Sequence, residues 1–236
     1  MKFAVKRNIT RLAGASLLLA LGVVSVPAQN SRTHDAGRHA NDAAEVFTRI
    51  MNVKEKAIPK QFLDKAEAIA VFPSVVKVAF GIGGKGGQGV ISRRVKGGWS
   101  QPVFFNIGGA SFGAQIGASK TDYVFLIMND EGLNSLLKDK VELGAEVGVA
   151  AGPVGREAAA STDARLTAGI LSYSRSRGAF IGAAIKGAVI SPDNDLNDAF
   201  YGRKANDLLT GKPMTMTEMP AVVKIFPRTL ARYSTK

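Results

Sequence analysis

Ile107-Gly-Gly-Ala-Ser-Phe-Gly-Ala-Gln-Ile-Gly117 decides the fold. Its glycines recur within a strand-like run rather than between strands. Glycine weakens a strand unless another backbone or a sharp bend must fit against it. Twelve of the chain's 26 glycines lie between Gly81 and Gly117. A strongly coiled sheet or small barrel, crossed closely by another element, would require that density.

Working outward, Gly81-Ile-Gly-Gly-Lys-Gly-Gly87 reads as a turn between strands at Val75–Ile82 and Val90–Val95, and Gly97-Gly98 as a second turn. Val103–Ile107 and Tyr123–Met128 are further strands, with Ala68–Phe72 a buried strand stopped by Pro73. Three more strands are expected over Val141–Ala151, Leu166–Ser174 and Ala179–Ile190. Asn41–Val53 has helical apolar spacing in Ala43, Val46, Phe47, Ile50 and Met51, with Asp42 and Glu45 placed as a capping box. Pro59 opens a short helix that turns Phe62, Leu63 and Ala66 to one face. Asn129–Lys140, Asp193–Phe200 and Ala205–Leu209 read as helices. Pro220–Tyr233 reads as a terminal helix or a strand-helix mix, interrupted at Pro227. The fold class is α+β: one domain with a strongly twisted, largely antiparallel, glycine-rich sheet or small barrel, N-terminal amphipathic helices and short C-terminal helices.

The chain has 236 residues, no cysteine, and 31 Lys+Arg against 19 Asp+Glu, a formal charge of +12. A hydrophobic fraction of 46% excludes a disordered polycation. Without cysteine there is no disulfide framework, thiolate nucleophile or lipidated cysteine. Residues 1–28 have the layout of a signal peptide: Lys2, Lys6, Arg7 and Arg11, then an apolar run Leu12–Val26, then Val26-Pro27-Ala28. Cleavage after Ala28 is expected, with an uncleaved anchor as the alternative. Residues 29–40 read as a polar tail, and 41–236 as the folded domain. Export places the protein in the periplasm or outside the cell, peripheral on a membrane if it binds one. It also argues against nucleic acid as the partner of the basic charge.

Sorted by segment, residues 29–60 carry +2, 61–99 carry +4, 100–165 carry −3 and 166–236 carry +5. Lys54, Lys56, Lys60 and Lys65 follow the amphipathic helix. Arg93, Arg94 and Lys96 sit at a hairpin end beside Trp99. Basic groups beside a large aromatic suit an anionic headgroup surface. Solvated lysines and a core tryptophan are the alternative.

Catalytic patterns fail on context. Gly81–Gly86 matches G-x-G-x-x-G, but a strand rather than a helix follows. Gly109-Ala-Ser111-Phe-Gly113 matches a nucleophile elbow, yet both histidines, His34 and His39, lie upstream. Asp193-Asn-Asp195-Leu-Asn197-Asp198 starts like a calcium loop but lacks its sixth-position glycine and twelfth-position glutamate, so it reads as a helix start. No enzyme, metal or cofactor is expected.

The order of Ala68-Ile-Ala-Val-Phe-Pro73, Gly81–Gly87, Trp99-Ser-Gln-Pro102, Ile107–Gly117, Asp122-Tyr-Val-Phe-Leu-Ile-Met-Asn129 and Asn197-Asp-Ala-Phe-Tyr-Gly202 resembles the SYLF domain family over roughly Asp42–Gly202. The resemblance implies a non-enzymatic lipid-binding domain. In that family eukaryotic members bind phosphoinositides, helped by an N-terminal amphipathic helix, and a yeast branch binds actin. An exported chain would not meet actin, so the implied ligand is anionic phospholipid more generally. A structural or protein-interaction module of the envelope is the alternative.

Overall fold

Two long strands, β1 (Ala68–Val95, 28 residues) and β3 (Val103–Ile127, 25 residues), pair antiparallel from Ala68↔Ile127 to Ile91↔Val103. β2 (Gly98–Trp99) completes the hairpin, with Arg94 opposite Trp99. The computed structural model describes residues 26–53, 57–155, 168–176, 179–183, 185 and 187–234, with backbone alone at 26–30, 79–82 and 111–116. The signal-peptide expectation thus lies almost wholly outside the described residues.

The glycine-rich segment at 81–87 is strand, not the turn its composition suggested. The reason is distant packing. A Cβ on Gly89 would stand 2.3 Å from the Val71 carbonyl oxygen and 2.5 Å from Phe72 Cδ1. One on Gly87 would stand 2.9 Å from Val75 Cγ2. β1 therefore curls until its second half rests on its first, and only glycine leaves room. Two bulges assist the bend, one between Phe72 and Val75 and one between Phe80 and Gly81. The first admits Pro73 without ending the strand. It holds Ser74 at φ +49, where its N–H donates to Asp122 Oδ1 at 2.9 Å.

The remaining strands flank β3. β6 (Ile170–Ser176) pairs with Asp122–Ile127, and β8 (Val189–Pro192) with Phe105–Gly108. β4 (Val141–Glu142) joins β8; β7 (Ala179–Gly182) and β5 (Val149–Ala151) join β6, β5 in parallel. The result is a strongly curled half-barrel in one α+β domain.

Alternation along the strands gives this sheet two buried faces. One carries Ile69, Val71, Val90, Phe104, Val124 and Leu126, under α1 (Val26–Met51), α2 (Lys60–Lys65) and the C-terminal helix. The other carries Phe72, Ile91, Phe105, Phe125 and Ile127, under α3 (Asp130–Leu136) and the helix Ala205–Thr210. α1 extends through the stretch expected as a tail, and Asp42 lies mid-helix instead of capping it. Ala36, Ala40, Ala43, Phe47 and Ile50 are all fully buried at three- and four-residue spacing, so a face of small residues continues the amphipathic stripe N-terminally.

After β8 come α4 (Asn194–Tyr201), α5 (Ala205–Thr210), a 3-10 turn at Ala221–Val223 and α6 (Ile225–Tyr233). Asp193 caps α4 by accepting from Leu196 N, as the sequence suggested. Pro227 does not interrupt α6, because it lies in the first turn, where its missing N–H costs nothing.

Gly89→Ala should lower stability by about 1–3 kcal/mol through overpacking. Gly86→Ala should stay within about 0.5 kcal/mol of the parent, since a Cβ there meets nothing within 4 Å. Urea unfolding of the two variants checks the difference.

Candidate functional site

The cations expected at the hairpin end divide by role. Arg94 is half-buried and structural. Its Nε donates to Ala66 O at 2.9 Å and its Nη2 to Leu63 O, and its guanidinium lies 4.3 Å from the Trp99 ring centroid. Burial pushes its pKa down, partly offset by Asp64 and Glu67. Arg94 satisfies the last carbonyls of α2 and so ties that helix to the hairpin. Trp99 is only 4% exposed and donates Nε1–H to Ser234 Oγ at 3.0 Å. It is a core residue, because the C-terminal helix closes over it, so it does not present a ring to a membrane surface.

The tie brings other expected cations to the same end. Lys65 and Lys96 are exposed there, and Arg93 is half-buried. Lys60 is exposed and paired with Asp64 at 2.7 Å. Lys54 and Lys56 lie outside the described residues.

A second feature was not anticipated. A cleft of about 440 Å³ separates α1 from the bulged part of β1, lined among others by Arg38, His39, Asp42, Glu45, Arg49 and Ser74. Against two of these lining residues, Asp122, 8% exposed, accepts from Ser74 N–H at 2.9 Å and lies 3.9 Å from Arg49 Nη2, with Arg175 Nη1 at 3.6 Å. Arg49 also pairs with Glu45. His39 is buried against the Phe104 ring, at 6.2 Å between centroids. Burial, then Arg38, pushes its pKa down, while Asp35, Asp42 and Asp193 oppose the shift. The signal for this cleft was faint: His39 lies on the small-residue face of α1, in the stretch read as a tail. Among the described residues no three metal-ligating side chains come together, and no helix is long and apolar enough to cross a membrane.

The sequence motifs also converge, as anchors. Asn197 is fully buried and exchanges two 2.9 Å hydrogen bonds with the Phe104 backbone, as a neighbouring strand would. Gln101 donates to Leu208 O and accepts from Met214 N. Tyr201 donates to Pro102 O at 2.7 Å. Trp99-Ser-Gln-Pro102 and Asn197–Gly202 thus fasten the C-terminal helices to the sheet.

Comparison with known proteins gives consistent matches. A family model described as Ysc84, Las17-binding protein actin regulator, matches residues 108–232, just over half the chain. LAS seventeen-binding protein 3 of Saccharomyces cerevisiae is 35% identical over 178 residues, 73% of this chain and 38% of its own length. Protein YSC84 of the same yeast is 36% identical over 152 residues, 63% of this chain and 32% of its own. SH3 domain-containing YSC84-like protein 1 of Xenopus laevis is 30% identical over 210 residues, 86% of this chain and 62% of its own. The chain therefore spans between about a third and two-thirds of these relatives.

The buried imidazole gives a pH test. Its folded pKa lies below the ordinary value of about 6.5, so the unfolded chain takes up the proton first. The stability that neutral His39 contributes is complete above pH of about 6.5 and is lost as pH falls through the folded pKa. Thermal melts from pH 8 to 5 should show Tm falling over the lower part of that range, and His39→Gln should flatten the fall.

Proposed function

The chain belongs to the Ysc84, or SYLF, family, and on that footing we propose that it binds anionic phospholipid without catalysing a reaction, as an exported protein of the cell envelope. The observation that carries this reading is the fastening of α2 to the hairpin end by Arg94, which sets Lys65 and Lys96 on one exposed surface. Each cation held near an anionic membrane surface contributes about 1 kcal/mol. The cations around this end outnumber the two carboxylates beside them, Asp64 and Glu67. The relatives carry names of binding and regulatory proteins, which suits a surface without catalytic residues. The signal-peptide layout of residues 1–28 in the sequence supports the envelope location.

A second reading, an interaction module with a protein partner, draws on the name of the yeast relative, LAS seventeen-binding protein 3. One stoichiometric protein captured on the chain, with vesicles left unbound, would favour it.

Co-sedimentation with phosphatidylcholine vesicles, with and without phosphatidylglycerol, tests the lipid reading. Binding should need the anionic lipid and weaken as salt rises. Lys65→Gln with Lys96→Gln should weaken it about tenfold or more, at about 1 kcal/mol per cation. Equal binding to both vesicle types, or none, overturns the reading.

A further inference from the structure

With Trp99 in the core, the cationic end has charge, but among the described residues no large exposed apolar side chain lies on α2 or at the Val95–Gly98 turn. An apolar surface with its own cations lies elsewhere on the hairpin. Between the Ser74 bulge and the contact of Val75 with Gly87, β1 and β3 leave the body together as a two-stranded arch. Among the described residues no third strand pairs with it beyond its foot: β6 pairs with Asp122–Ile127, and β8 with Phe105–Gly108, which reaches only the β3 residues opposite Gly86 and Gly87. A Cβ on Gly86 or Gly117 would meet nothing within 4 Å. A two-stranded ribbon alone is marginally stable in water.

Val76 and Val78 are 38% and 54% exposed on this arch, Val76 at the edge of the α1 cleft and Val78 farther out. Their alternation puts both on one face. Val76 stands opposite Lys120 and Val78 opposite Ala118. Lys77, between the valines, is exposed, as is Lys120. Lys85 is half-buried on the returning limb, its pKa lowered by burial and then by Lys77, so these two cations share one neighbourhood. The nearest carboxylate in the ribbon itself, Asp122, is engaged by Ser74, Arg49 and Arg175, and of the two α1 carboxylates in the cleft that Val76 borders, Asp42 and Glu45, the second is paired with Arg49.

Building on the membrane reading, we propose that this arch is the element that enters the bilayer interface, Val76 and Val78 leading and Lys77, Lys85 and Lys120 meeting lipid phosphates. The charge selects the occupant. A second copy would set lysine against lysine, and lysines along an open edge discourage strand pairing. An anionic interface attracts the same lysines, and long lysine stems reach headgroups while apolar neighbours go deeper.

The absence of native cysteine allows one reporter at one site. Val78→Cys in the full chain, labelled with an environment-sensitive NBD dye, should brighten and shift blue on phosphatidylglycerol-containing vesicles and be quenched by acyl-chain spin labels. Met216→Cys, an exposed apolar position on the C-terminal segment, should not respond. Val76→Ser with Val78→Ser should weaken binding about tenfold while leaving Tm unchanged, since both side chains are already exposed. Vesicle binding with a silent Val78 probe would overturn the arch and leave the membrane reading standing. Absence of any vesicle binding would remove both. A concentration-dependent probe response without vesicles would give the arch to a second copy and overturn the proposal.

Discussion

The fold depends on one close approach, the Gly89 Cα lying against the carbonyl of Val71 within the same strand. No side chain fits there, so the two long strands must carry glycine where most strands carry packing residues. The curl they achieve accounts for the rest of the architecture. It lets a single hairpin present two buried faces, one to α1 and the C-terminal helix, the other to α3 and α5. It also pushes the middle of the ribbon out of the body as an arch. The residues that close the barrel and those proposed to meet the membrane are thus neighbours on one strand.

The motifs that carry the family resemblance are fasteners. Asn197 substitutes for a missing strand beside Phe104, Gln101 bridges Leu208 and Met214, and Trp99 is sealed by Ser234. Burying such polar groups is tolerable only because each is paired. Their work is to hold helices on the sheet, and the surfaces proposed for recognition, the exposed arch and the cationic end, are formed by other side chains. A surface of that kind can change its ligand while the fasteners stay the same.

Local chemistry was legible in the sequence. Pro59 before α2, Asn129 and Asp193 at the starts of α3 and α4, and the Gly97 turn each act through neighbours within a few residues. The glycine run at 81–87 was misread as a turn, because composition cannot distinguish a glycine that bends from one that admits a backbone from elsewhere. The general expectation of close packing held, and its location did not. The polar look of residues 29–40 hid a stripe of alanines, too weakly apolar to stand out. The basic clusters were visible, but burial separated their members: Arg94 and Trp99 went inward, Lys65 and Lys96 stayed out. The exposed Val76–Val78 pair read simply as strand, since only the absence of a neighbouring strand makes it a surface.

The closure itself has a direct measurement. A Cβ on Gly87 would lie 3.3 Å from the Val75 Cβ, close to the separation of roughly 3.5–4.5 Å found in disulfides. Val75→Cys with Gly87→Cys introduces the only two thiols in the chain. Under mild oxidation of the folded protein, mass spectrometry should find the intramolecular disulfide formed nearly to completion, with the circular dichroism spectrum unchanged. Two thiols that stay reduced in the folded protein would contradict the curled hairpin, and with it the arch that the curl creates.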